Sequence, residues 1–164
     1  YMLILEKLYV NFFKLLISFG IVAGFAAAYR IKPTAHLLYC VPVVLLILLL
    51  TLGCGVIVAH FGVYINDLYN VVQVILRFMF YLSGVFYDVG DRLSQTTFFG
   101  LNVGRLMITV NPVAYVIDEL RKIIIYGQSL RFEMYIYWLV ISLVLLCIGL
   151  KLMYRFENSY IKVV

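Results

Sequence analysis

Long apolar runs broken by short polar or Pro-containing segments dominate the chain. A bilayer core about 30 Å thick needs roughly 20 mainly apolar helical residues, and four runs reach that length. The first, residues 8–29, carries Asn11 and Lys14 in its opening turns, where a lysine can snorkel toward headgroups, and ends at the break YRIKPT, with Pro33 as the stop. The second, 35–59, has Pro42 near its start as an expected kink, and the third, 68–87, holds Arg77 at its centre. The fourth, 132–153, runs into the charged tail KLMYRFENSYIK, with Trp138 and nearby tyrosines expected as interfacial anchors.

Between the third and fourth runs, the connection 88–131 is too apolar for a free loop and too broken for a span. Within it, NPVAYVIDELRKIIIYG (Asn111 to Gly127) predicts a helix with Pro near its start and Gly at its end. With the preceding TTFFGLNVGRLMITV it predicts a re-entrant or interfacial helical pair over about 92–127, allowed at membrane depth only where protein or water covers the broken backbone. The fold class expected is therefore an all-α integral membrane protein, one transmembrane domain over 1–164 with four transmembrane helices plus that pair.

Composition reinforces the choice of solvent. The chain has 164 residues, 65% hydrophobic and only 13% charged, with 14 Tyr, 12 Phe and one Trp, and a mean hydropathy of +1.06, so it lacks the polar surface to wrap a soluble core. The net charge of +5 comes from singly scattered Lys and Arg, not from a basic stripe, and points to an anionic membrane surface or lipid-linked anion and away from nucleic acid. Basic residues fall on both sides of the expected spans, so charge alone does not orient them. Cys40, Cys54 and Cys147 lie in apolar runs without CxxC spacing and read as buried thiols.

Reactive motifs are missing from the sequence: no GxxxxGK[ST], GxSxG, HExxH or GxGxxG occurs. His36 and His60 stand about 36 Å apart by helical rise and cannot share a metal, so no catalytic residue and no metal site is assigned. Arg77 is the most informative residue, because a mid-span charge needs water or a partner. Steps of three and four through it give Asn66, Asn70, Gln73, Arg77, Tyr81 and Gly84, one polar face on an apolar helix. That face either lines an aqueous path or packs against an acid such as Glu133. Gly20, Gly24 and Ala28 form a stripe suited to close helix packing, as do Gly53 with Gly55 and Gly100 with Gly104. The aromatic group Phe78, Phe80, Tyr81, Phe86 and Tyr87 fits a membrane belt or a sugar-stacking surface.

Three segments in this order resemble the membrane subunit of ABC-type exporters for cell-surface polysaccharides, O-antigens or teichoic acids. VYINDLYNVVQ (Val63 to Gln73) is similar to a short cytoplasmic turn and helix start, LRFMFYLSGVFY (Leu76 to Tyr87) to a late span with an aromatic outer mouth, and NPVAYVIDELRKIIIYG to the NP-led helix after the re-entrant segment. The tail Gly149 to Val164 also resembles that family's end. Asn66 stands where the family often has Arg, and Ser83 with Gly84 where it often has Ser-Pro.

The resemblance implies a permease that is not itself an enzyme, amino-terminal helices preceding Tyr1, and a homodimer with two copies of a cytoplasmic ABC ATPase in the bacterial plasma (inner) membrane. It implies no cofactor in this chain, with ATP and magnesium in the partner subunit, and a lipid-linked glycan or polyol-phosphate polymer as cargo. Translocation-path residues are expected at Asn70, Gln73, Arg77, Tyr81, Phe86, Tyr87, Tyr115 and Arg121, and ATPase contact at Glu6, Lys7, Asn66 and Asp67. Two alternatives stay open: a drug-type efflux permease, and a multispan transferase on lipid-linked sugars, whose acids would be Asp67, Asp88, Asp91, Asp118 and Glu119.

Overall fold

The computed structural model describes residues 2–29, 35–65, 67–85, 97–98 and 101–160. The order is α1 (Met2–Ala28), a 3-10 turn (Ala35–Tyr39), α2 (Cys40–Gly62), α3 (Leu68–Tyr81), β1 (Thr97–Phe98), β2 (Leu101–Asn102), α4 (Val103–Val110), α5 (Pro112–Ile124) and α6 (Phe132–Tyr160). The architecture is helical, with one two-residue antiparallel pairing of β1 on β2, Thr97 opposite Asn102.

Three described helices are long and apolar enough to cross a bilayer, over Glu6–Ala26, His36–Gly62 and Phe132–Arg155. The expected third span is the exception: α3 has 14 residues, about 21 Å by helical rise and short of the bilayer core. Its end is chemically specified. The Ser83 amide and hydroxyl both donate to the Phe80 carbonyl, at 3.1 and 2.6 Å, and Gly84 turns the chain at φ 74°, a left-handed value closed to proline. The glycine that replaces the resembling family's proline thus makes a reversal that proline could not.

Pro42 falls in the first turn of α2. Lacking an N–H to give the Leu38 carbonyl, it marks the transition from the 3-10 turn Ala35–Tyr39 to the α-helix starting at Cys40. Within the membrane pair, α2 lies directly on α6: a Cβ at Gly53 would stand 3.0 Å from the Leu146 amide nitrogen, and one at Gly149 3.0 Å from Val56. A Cβ added at Gly20 or Gly24, by contrast, would meet no other element within 4 Å among the described residues. Their expected close packing finds no partner among the described residues.

The core forms where α5 meets the opening turns of α2 and α6, joining Cys40, Val43, Leu46, Ile108, Tyr115, Val116, Ile123, Leu130 and Trp138. Trp138 is not an interfacial anchor. It is 5% exposed, stacks on Tyr115 with ring centroids 6.4 Å apart, and donates its indole N–H to the Ile108 carbonyl at 3.4 Å. Of the three cysteines expected as buried thiols only Cys40 is buried; Cys54 and Cys147 are exposed, on the outward faces of α2 and α6.

Gly53→Val is expected to lower the thermal unfolding midpoint of the detergent-solubilised chain, because the added side chain meets backbone, an overpacking that costs about 1–3 kcal/mol. Gly20→Val, in open space, should leave the midpoint unchanged. Equal midpoints for the two variants would contradict the α2–α6 contact.

Candidate functional site

The polar face expected on the third run is realised on α3. Asn70, Arg77 and Tyr81 are exposed and Gln73 half-buried, and α3 buries none of its residues against the rest of the chain. Gln73 Nε2 donates to the Tyr69 hydroxyl at 2.6 Å, which extends the stripe by one residue. Arg77 and Glu133 are both exposed, and no ion pair joins them among the described residues. Phe86 and Tyr87 lie outside the described residues, as does Asn66. Asp67 opens α3 with its carbonyl accepting from the Asn70 and Val71 amides, at 3.1 and 3.3 Å, its side chain exposed like those of Glu6 and Lys7 at the start of α1.

At its far end α3 is gripped by α5, and the Asn-Pro pair explains how. A helix start leaves N–H groups without partners. Here Pro112 has none to satisfy, the Asn111 side-chain oxygen accepts from the Val113 and Ala114 amides at 3.0 and 3.4 Å, and the Tyr115 amide reaches the Asn111 carbonyl at 3.1 Å. The Asn111 side-chain amide then donates to the Met79 carbonyl at 2.7 Å, filling a carbonyl left open in the last turn of α3. Nearly three turns further along α5, Arg121 Nη2 donates to the Gly84 carbonyl at 3.1 Å. Gly127 closes α5 at φ 60°, with the Gln128 amide returning to the Lys122 carbonyl at 3.0 Å, the glycine-terminated ending that the sequence predicts.

Charge holds the opposite side of α5. Glu119 is 0% and Asp118 2% exposed, which is sustainable for carboxylates only with cations in contact. Arg131, in the link just before α6, supplies them: its Nε donates to Glu119 Oε1 and its Nη2 to Asp118 Oδ2 at 2.6 Å. Lys122, one turn on from Asp118, adds a contact of 2.8 Å to the same oxygen. Burial works against the Arg131 cation, but Glu119 first and then Asp118 outweigh it and hold its pKa above the ordinary arginine value. The Tyr115 hydroxyl, Asp118 Oδ1 and Glu119 Oε2 are buried with no hydrogen-bond partner among the described residues.

Two expected assignments change in this light. Tyr115 is 0% exposed, packed on Trp138, and so does not face a path. Asp118 and Glu119 are engaged by Arg131 and Lys122, which removes two of the five acids of the transferase reading; Asp88 and Asp91 lie outside the described residues. No three His, Cys, Asp or Glu side chains among the described residues group as metal ligands. The Arg131 clamp went unseen in the sequence, because its partners lie 12 and 13 residues away, beyond any helical spacing. The adjacent acids of IDELRK on an apolar helix were the available signal.

Arg131→Met should destabilise the chain by about 3 kcal/mol, the cost of leaving buried carboxylates without their cation, read as a lower unfolding midpoint. Adding Asp118→Asn and Glu119→Gln should restore most of that loss. If the triple variant is no more stable than Arg131→Met alone, the pairing does not hold α5 in place.

Residues 4–125 match the ABC-2 type transporter family. No curated protein and no solved protein structure matches the chain. The matched region takes in α1, α2, α3, α4 and α5, including the polar stripe and the Asn-Pro helix, and ABC-2 permeases generally work with an ATPase subunit. This chain, a membrane protein with three apolar helices able to cross a bilayer and the permease component of a transporter, belongs to the ABC-2 type transporter family.

Proposed function

We propose that the chain is the membrane-spanning permease of an ATP-driven exporter of lipid-linked cell-surface polysaccharide or teichoic acid, paired with a second copy and with two cytoplasmic ATPase subunits. The observation that carries this reading is the exposed polar stripe Asn70, Gln73, Arg77 and Tyr81 on a helix with no side chain buried in its own chain. A guanidinium on such a helix does not face hydrocarbon, so the stripe belongs beside water or polar cargo. In the homodimer it lines the translocation path, and Arg77 attracts the cargo's phosphate or pyrophosphate as it crosses. Arg121, bonded to the outer end of α3, lies at the mouth, and Phe86 and Tyr87 continue the path beyond it.

The pair α4–α5 is assigned a re-entrant course. Its bend at Asn111 is next to Ile108, whose carbonyl meets Trp138, about 9 Å of helical rise inside the span that begins at Phe132. Asp118 and Glu119 meet Arg131 ahead of that span, so α5 climbs from membrane depth to the headgroup level. Asn111 and Arg121 tie it to the last turn of α3, so a shift of α3 pulls the hairpin with it. Both termini and the turn around Asp67 face the cytoplasm in this assignment, where Glu6, Lys7, Asn66 and Asp67 make contact with the ATPase.

The test is export by the chain reconstituted with its copurified ATPase. At an effective dielectric of 20 two unit charges 4 Å apart interact by about 4 kcal/mol, and losing a third of that slows a step about tenfold. Arg77→Gln is expected to give a folded, ATPase-bound complex whose export of lipid-linked polymer falls by about that factor. Normal export by Arg77→Gln would overturn the path assignment. Failure of any ATPase to copurify would overturn the permease reading, and export of small hydrophobic compounds in place of polymer would move the cargo to the drug class.

A further inference from the structure

Packed helices have their rotation set by side chains seated in a neighbour's grooves, and α3 has little of this. None of its residues is fully buried. The side that meets the rest of the chain is the line of Val72 and Met79, both half-buried, which continues past the helix end to the buried Ser83. At 100° per residue, Met79 stands about 160° around the helix from Arg77. The chain therefore holds α3 by its back, and the polar stripe faces away from that hold.

On this back line the Met79 carbonyl accepts from the Asn111 side-chain amide at 2.7 Å. The same amide caps α5, its oxygen accepting from the Val113 and Ala114 N–H groups at 3.0 and 3.4 Å. A backbone N–H can only donate and a carbonyl can only accept, so one orientation of the Asn111 amide satisfies both helices. Asp and Ser cap a helix about as well as Asn does. An ionised Asp has no proton to give Met79, however, and a Ser hydroxyl ends one bond short of the Asn amide nitrogen. Asn111 is 7% exposed, which leaves little room for water to take over the bond. Arg121, bonded to the Gly84 carbonyl at 3.1 Å, holds α3 on a long stem that follows a moving partner. Asn111 has no such slack.

We propose that Asn111 is the positioning residue of the translocation path: through the Met79 carbonyl it sets the rotation of α3 about its axis, and so the direction in which Gln73, Arg77 and Tyr81 face. This role rests on the stripe being a wall of the path. Turning α3 by one residue, about 100°, would put Phe78 where Arg77 stands and carry an atom at the Cα radius of about 2.3 Å through about 3.5 Å. That displacement breaks the bond to Asn111, so the bond and the facing of the stripe stand or fall together.

Thiol accessibility tests it without cargo or ATPase. Single cysteines are placed at Gln73 and Tyr81 on the stripe, and at Ile75 and Leu82, about 160° and 140° around the helix from Arg77. The full chain, with Cys40, Cys54 and Cys147 replaced by alanine, is labelled in nanodiscs with a water-soluble, membrane-impermeant maleimide, which reacts with the hydrated thiolate. Gln73→Cys is expected to react faster than Ile75→Cys, and Tyr81→Cys faster than Leu82→Cys. Adding Asn111→Ser or Asn111→Asp, both of which keep the cap, should cut each ratio about fivefold, the worth of one hydrogen bond. Unfolding midpoints identify the folded variants. If Asn111 served only to cap α5, the ratios in the folded Ser and Asp variants would match those of the unaltered background, and that result would overturn the positioning role alone. Equal reaction of the two faces before Asn111 is changed would overturn it together with the path assignment.

Discussion

A helix that begins among apolar side chains must satisfy its own polar groups, and the fold around α5 follows from that requirement. Its start is buried, so Asn111 and Pro112 complete the first turn locally, and Gly127 closes the far end. The side of α5 that carries Asp118 and Glu119 is closed by Arg131 in the same way. Because Arg131 immediately precedes α6, the ion pairs also fix where the helical pair stands along that span. Trp138 and Tyr115 fill the space beneath. Local capping, ion pairing and aromatic packing are thus three solutions to one desolvation problem.

The same bonds link the polar stripe to the core. Met79 and Gly84 present carbonyls that the end of α3 leaves open, and both are taken by α5. Apart from this attachment α3 shows its side chains outward, an arrangement suited to a helix that meets another copy or a polar substrate. The close α2–α6 pair is packed with a Cβ at Gly53 or Gly149 only 3.0 Å from its neighbour.

Much of this was legible in the sequence where the signal is local. Apolar length found the three crossing helices, Asn-Pro and Gly127 marked the two ends of α5, and steps of three and four assembled the stripe around Arg77. Features that depend on partners distant in sequence were not legible. Arg131 carries no local signal, and Trp138 looked like a belt residue and Tyr115 like a path residue, because composition cannot say which side of an amphipathic helix meets which neighbour. The third run appeared long enough to span because its hydropathy continues past Leu82, whereas Ser83 and Gly84 end the helix by hydrogen bonding and a positive φ. Gly20 and Gly24 show the reverse limit: the pattern for close packing is present, and none of the described residues fills it.

The depth of the α5 start is the point on which the account turns, and a pair of spin labels measures it directly. Single cysteines replacing Val110 and Gln128, both exposed, would be labelled in a reconstituted chain whose Cys40, Cys54 and Cys147 are replaced by serine or alanine, and their relaxation compared in oxygen, which concentrates in hydrocarbon, and in a water-soluble nickel chelate. The expected result is a label at Val110 relaxed mainly by oxygen and a label at Gln128 relaxed mainly by nickel. Equal access of both labels to nickel would place α4 and α5 outside the hydrocarbon and contradict the re-entrant course.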